Sequence, residues 1–293
     1  MNTSTNTTWP TRWGRAAFAL TFGRTFAWTF TLTAATTAAL LAACATTPYG
    51  TAVAPPTVVQ AAGDIDAAIA RYRELLGPDN GGEPGNKPGG RREINWDGVP
   101  DAVAAPNFMP ADLFNAAQAP RARGARFATP GAGVQVSARS GNPTGTAVRF
   151  GHINASYPAI FKAFSPERLF SPIGSNIVDM TFFVPGSTTP ALVRGFGAVY
   201  TDVDQPHTSF EYFDRDNRSL GRFAVPVADN GLSFLGVAFE RAVVARVRIE
   251  YGSTALGPDD SAGADVSVMD DFIYGEPQPR PPAAVKSPGG DGY

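Results

Sequence analysis

The chain has 293 residues, 43% of them hydrophobic and 17% charged, with 31 Gly, 26 Pro and a formal net charge of −2. This composition excludes a coiled coil, a highly charged disordered chain and a polytopic membrane protein, and the near-neutral charge gives no footprint for nucleic acid. One cysteine excludes an internal disulfide framework and any cysteine-cluster zinc site, and two histidines leave little for imidazole-based metal or acid–base chemistry.

In chain order the first feature is an address. Residues 1–43 contain no Asp or Glu, their only charges are Arg12, Arg15 and Arg24, and no charged side chain occurs from Thr25 to Gly63. A positive flank, an apolar stretch and then small residues is the order of a secretory signal. The stretch ends in Leu41-Ala42-Ala43-Cys44, which resembles the lipobox of bacterial lipoproteins. The resemblance implies cleavage before Cys44, diacylation of its sulfur and acylation of the new N-terminus. It also implies a membrane partner held through that lipid. Ala45 in place of Asp implies outer-membrane sorting in a two-membrane organism. The competing readings are a buried thiol at Cys44 or an uncleaved anchor over Thr25–Ala43. Six threonines in that window, and the placing of the sole cysteine, weigh against both.

Residues 44–62 are small, uncharged and Pro-containing and read as a tether. A helix is expected from Asp64 to Leu76: Asp64 suits the first-turn cap, and Ile65, Ile69, Tyr72 and Leu76 share one face. Gly77-Pro78 stops it, and a Gly-rich loop to Gly90 follows. From Arg91 the period becomes two. Val178, Met180, Phe182 and Val184 fall on one face of one run; Ala245, Val247, Ile249 and Tyr251 fall on one face of another, opposite Arg246, Arg248 and Glu250. Residues 214–221 read as a hairpin turn between strands. Many short strands with Gly and Pro between them indicate a mainly β fold, an antiparallel β-sandwich with one N-terminal helix over 63–276. Residues 277–293 hold five prolines and read as a disordered tail.

Three segments, GGRREINWDG (89–98), GFGAVYTDVD (195–204) and VMDDFIYGEP (268–277), resemble a recurrent domain of secreted and envelope-anchored bacterial proteins. The resemblance implies a jelly-roll-like sandwich similar to lectins and carbohydrate-binding modules. It carries no activity with it.

The leading candidate site is a structural Ca2+ site built from Asp97, at the end of the first strand of the sandwich, and Asp270 or Asp271 in its last strand. Calcium takes six to eight oxygens, and an inward carboxylate in an otherwise apolar strand needs a partner or a metal. The alternative partners are backbone N–H groups or an arginine such as Arg91 or Arg92. Asp202 and Asp204 share a face and either join such a site or begin the turn before Pro206. Asp214-Arg-Asp216 opens like an EF-hand loop, but Arg218, Ser219 and Val225 stand at its positions five, six and twelve, which rules it out. Asp259, Asp260 and Asp265 read as solvated loop acids. His152 and His207 read as surface histidines, and no serine has the surroundings of an activated nucleophile. For glycan stacking, Trp96 is either a platform or core, with Tyr157, Tyr212 and Tyr274 as further rings. The function this supports is a lipid-anchored envelope protein displaying a non-catalytic module for a glycan or an envelope protein. A polysaccharide- or cell-wall-acting hydrolase using two carboxylates, and a purely structural envelope protein, are the alternatives.

Overall fold

The computed structural model describes residues 54–257 and 263–280. The segment expected to be a signal, Cys44 and the residues beyond Arg280 lie outside the described residues. Strands β1 (Thr57–Ala62), β2 (Arg91–Ile94), β3 (Ala125–Ala128), β4 (Gly133–Val136), β5 (Phe170–Ile173), β6 (Ile177–Phe182) and β7 (Ala191–Leu192) occupy the first half. Strands β8 (Gly195–Val203), β9 (Ser209–Phe213), β10 (Ser219–Ala224), β11 (Ala228–Ala238), β12 (Arg246–Glu250), β13 (Val268–Gly275) and β14 (Gln278–Pro279) complete the set. Helix α1 spans Asp66–Leu76 and a single turn, α2, spans Tyr157–Ile160.

Seven strands form one sheet in the order β1-β11-β8-β13-β5-β4, with β2 also against β13; five form the second in the order β10-β9-β12-β6-β3. Every ladder between these strands is antiparallel. The main core lies between the sheets. Met180, Phe182, Phe210, Val247 and Ile249 of the smaller sheet pack with Phe196, Tyr200, Leu235, Phe272 and Tyr274 of the larger. The alternation read from sequence explains this: β6 and β12 bury every second side chain. Their outer faces hold polar pairs, with Arg246 and Arg248 both on Asp179. The turn at 214–218 joins β9 to β10, and Asp214 Oδ1 accepts the N–H groups of Asp216 and Arg218.

Helix α1 covers the outer face of the seven-stranded sheet. Ile65, Ile69, Tyr72 and Leu76 are buried against Val199, Phe234, Ala238 and Ile273. Sheet residues of β8 and β13 therefore contact apolar groups on both faces, and both strands are buried from end to end. That is why their alternation is weak in the sequence. The helix begins at Asp66, with Ile65 at its cap position, and Asp64 Oδ1 accepts the N–H of Asp66. The three segments that carry the resemblance meet here: β13 lies between β2 and β8.

Two expected boundaries move. Residues 57–62 are not tether: they pair with β11 over six residue pairs from Thr57↔Ala238 to Ala62↔Ser233. Val59 anchors them in the α1 cluster. At the other end, Gln278 and Pro279 pair with β7, so the ordered chain runs past 277.

The Gly-rich loop is held by one buried ion pair. Arg92 and Glu276 are both buried, with Nε to Oε2 at 2.7 Å. Arg92 also donates to the carbonyls of Glu83, Gly85 and Ala122, and Glu276 accepts from Asn80 and from the N–H of Lys87. Arg92 therefore pairs with Glu276 and Arg91 with Glu93, and neither reaches the aspartates of β13.

Two candidate carboxylate sites

Asp270 and Asp271 are neighbours in β13 that alternation would send to opposite faces. They meet because β13 bulges between Met269, opposite Tyr200, and Phe272, opposite Ala198, so three steps on β13 match two on β8. The bulge sits where the other neighbour of β13 changes from β5 to β2. The chain at 164–165 fills the gap. Asp270 Oδ2 accepts the N–H groups of Phe164 (2.6 Å) and Ser165 (3.2 Å), and Oδ1 accepts the Ser165 hydroxyl at 2.8 Å. Asp271 faces α1, with Arg73 Nη2 at 3.6 Å. Asp97 accepts the N–H of Arg168 at 3.2 Å. Burial, and then the neighbouring Asp271, push Asp270 up to about 8, and burial raises Asp271 as well. The pair therefore retains a proton near neutral pH.

Asp97, Asp270 and Asp271 thus have backbone, hydroxyl or arginine partners, the alternative that the sequence left open. Asp270 accepts two N–H groups and a hydroxyl, and Asp271 Oδ2 faces Arg73, while its Oδ1 is buried without a hydrogen-bond partner. Their oxygens do not converge with that of Asp97 within the spacing of a three-carboxylate cation site. The partner of Asp271 is Arg73 of α1, from a segment that no local pattern connects with β13.

The second site lies at the end of β8. Asp202 has φ 65° and is fully buried, opposite an irregularity of β11. There Ala228 pairs with Val203 and Leu232 with Thr201, so Asp229, Asn230 and Gly231 stand against Asp202 alone. The N–H of Asn230 donates to Asp202 Oδ1 at 2.7 Å. Asp202, Asp204 and Asp229 each place a carboxylate oxygen within 4.8 Å of the other two, the one such group among the described residues. Burial raises Asp202 to about 6; the Asn230 N–H opposes this, and Asp204, Asp229 and Asp265 add to it. Asp265, read from sequence as solvated, is buried and accepts the N–H groups of Asp204 (3.4 Å) and Gln205 (3.1 Å). Its carboxyl is likewise raised by burial. Sequence reasoning paired Asp202 with Asp204 but missed Asp229. The available signal was Asp229-Asn-Gly231, a turn signature interrupting a strand pattern.

The aromatic candidates for sugar stacking are all interior. Trp96 stacks on Phe170 at 4.2 Å between centroids, meets Phe272 edge-on, and donates its indole N–H to the Asp270 carbonyl. Tyr157, Tyr212 and Tyr274 are buried too. His152 and His207 are exposed. Among the described residues no helix is long and apolar enough to cross a membrane. No family model, curated protein or solved structure matches the chain.

Proposed function

We propose that the chain is a lipid-anchored envelope protein that displays a non-catalytic β-sandwich for binding, with a protein as the partner. The observation that carries the reading is the short link between the lipobox cysteine and the fold. Only residues 45–56 separate Cys44 from β1, the edge strand of the larger sheet. Fully extended, that link reaches roughly 45 Å. Acylation at Cys44 therefore holds the sandwich within about one domain diameter of the bilayer. Two or more acyl chains anchor a protein stably without help from charge.

Support for a non-catalytic role comes from the acid pair with the most perturbed protonation. Asp270 and Asp271 are sealed beneath α1 and the 164–165 chain, which leaves no space for a sugar ring between them. Support for a protein partner over a glycan comes from the rings: Trp96, Tyr157, Tyr212 and Tyr274 offer no exposed face for stacking.

The test is expression of the full chain and of Cys44→Ser in a bacterial host fed an alkyne analogue of palmitate. The full chain is expected to take up label and sediment with membranes, and the variant to do neither. Equal labelling and equal membrane association of the two would overturn the reading.

A further inference from the structure

We propose that Asp202, Asp204 and Asp229 form a calcium site that clamps the end of β8 to the irregularity in β11. Two independent observations carry it. The three carboxylates converge, each with an oxygen within 4.8 Å of the other two. Within that group Asp202 is fully buried, and its Oδ2 receives no hydrogen bond from any described residue.

A buried carboxylate oxygen without a donor is costly, because folding has stripped its water and supplied nothing in return. The usual remedy is an arginine or a row of N–H groups, as Asp270 has. At Asp202 the one N–H, from Asn230, goes to Oδ1. The charges that act on it are those of Asp204, Asp229 and Asp265, all of one sign. A cation placed among the three oxygens satisfies Oδ2 and cancels this repulsion together.

The donor set identifies the ion. It is all oxygen, with no imidazole or thiolate, which selects a hard cation. Calcium bonds oxygen at about 2.3–2.6 Å and tolerates irregular shells, whereas magnesium demands near-octahedral geometry at about 2.0–2.1 Å. Oxygens up to 4.8 Å apart close onto calcium with shifts of a few tenths of an ångström and need more to reach magnesium. Asp229 is exposed, so its side of the site is open to the waters that complete the shell. Asp265 lies just behind, holding the N–H groups of Asp204 and Gln205, and so positions Asp204 without being a ligand.

The test uses the full chain in detergent, stripped with chelator and returned to chelator-free buffer. Calcium and magnesium chloride are titrated by calorimetry, and melting is followed with and without each. Expected are one calcium per chain, a melting temperature that rises with calcium, and magnesium binding at least tenfold weaker. Asp229→Ala, at an exposed position, is expected to weaken calcium binding at least tenfold. Asp202→Asn, which keeps the acceptor for Asn230, is expected to abolish it. Asp216→Ala, an exposed acid in the β9–β10 turn, is expected to bind as the parent does. Absence of heat and of any melting shift with calcium overturns the proposal, as does parental binding by Asp229→Ala. Equal affinity for magnesium overturns the assignment to calcium. Should Asp202→Asn fail to fold, Asp229→Ala decides alone.

Discussion

Tyr72 lies directly on Gly236: a methyl group on that glycine would stand 2.6 Å from the Cδ2 of the ring. Gly197, opposite Gly236 in the β8–β11 ladder, and Gly195 continue the same bare strip, and a methyl on either would stand 2.8 Å from the tyrosine. The ring spans this strip and donates its hydroxyl to the Val237 carbonyl at 2.9 Å. The glycines of the 195–197 segment thus serve close approach of α1 to the sheet.

The first expected outcome follows from that contact. Gly236→Ala should destabilise the protein by about 1–3 kcal/mol, the usual cost of overpacking a filled core. Tyr72→Phe keeps the ring and should cost about 1 kcal/mol, for one hydrogen bond. Gly89→Ala is the control: a methyl there meets nothing within 4 Å, and the change should stay within about 0.5 kcal/mol. Urea unfolding midpoints of the three variants check this. A Gly236→Ala midpoint equal to that of Gly89→Ala would show that the helix does not rest on the sheet.

The Arg92–Glu276 pair is buried and holds a loop with no core of its own. Glu276→Ala leaves a buried guanidinium without its counter-charge and should cost about 3–5 kcal/mol. Arg222→Ala, which loses the largely exposed pair with Glu250, should cost no more than about 1 kcal/mol. Similar melting temperatures for the two variants would contradict the structural role of the buried pair.

Asp270 gives a pH-dependent outcome. Its carboxyl is raised in the folded state to about 8, so the native protein binds a proton that the unfolded chain releases at lower pH. The associated stability is complete below about pH 4 and declines as pH rises through about 8. Asp270→Asn keeps an acceptor for Phe164 and Ser165 but carries no charge. It should match the parent near pH 5 and exceed its melting temperature near pH 8.5. A variant less stable than the parent at the higher pH would show that the carboxylate is ionised and well satisfied.

The same sign applies at Asp202, raised to about 6 and facing Asp204, Asp229 and Asp265, with His207 acting on Asp265. In chelator, stability should fall from about pH 4 to 6 as Asp202 ionises. Calcium should offset that fall above pH 6 and add little near pH 4, where the carboxyl is protonated. Melting curves across that range, with and without calcium, check both halves. A calcium effect as large at pH 4 as at pH 7 would place binding elsewhere.

Much of the sandwich was legible because β6 and β12 have one wet face and α1 has a single apolar stripe, so their periods show in the residues. β1 escaped notice: Thr57–Ala62 buries only Val59, and its place comes from six pairings with β11, a partner far along the chain. The acids divide in the same way. Asp270 and Asp271 stood out because they interrupt an apolar run, yet their partners come from Phe164, Ser165 and Arg73. A bulge that changes which face a side chain occupies leaves no period-two trace. Asp229 needed the β8–β11 register to be known before it could be set beside Asp202.

The reading of the chain as a displayed envelope module rests on Cys44, and the mass of the N-terminal peptide tests it most directly. The protein is extracted from bacterial membranes, digested, and its first peptide weighed. The expected peptide begins at Cys44 and carries acyl chains on sulfur and amine. A peptide beginning elsewhere, or Cys44 with a free thiol, would contradict the account.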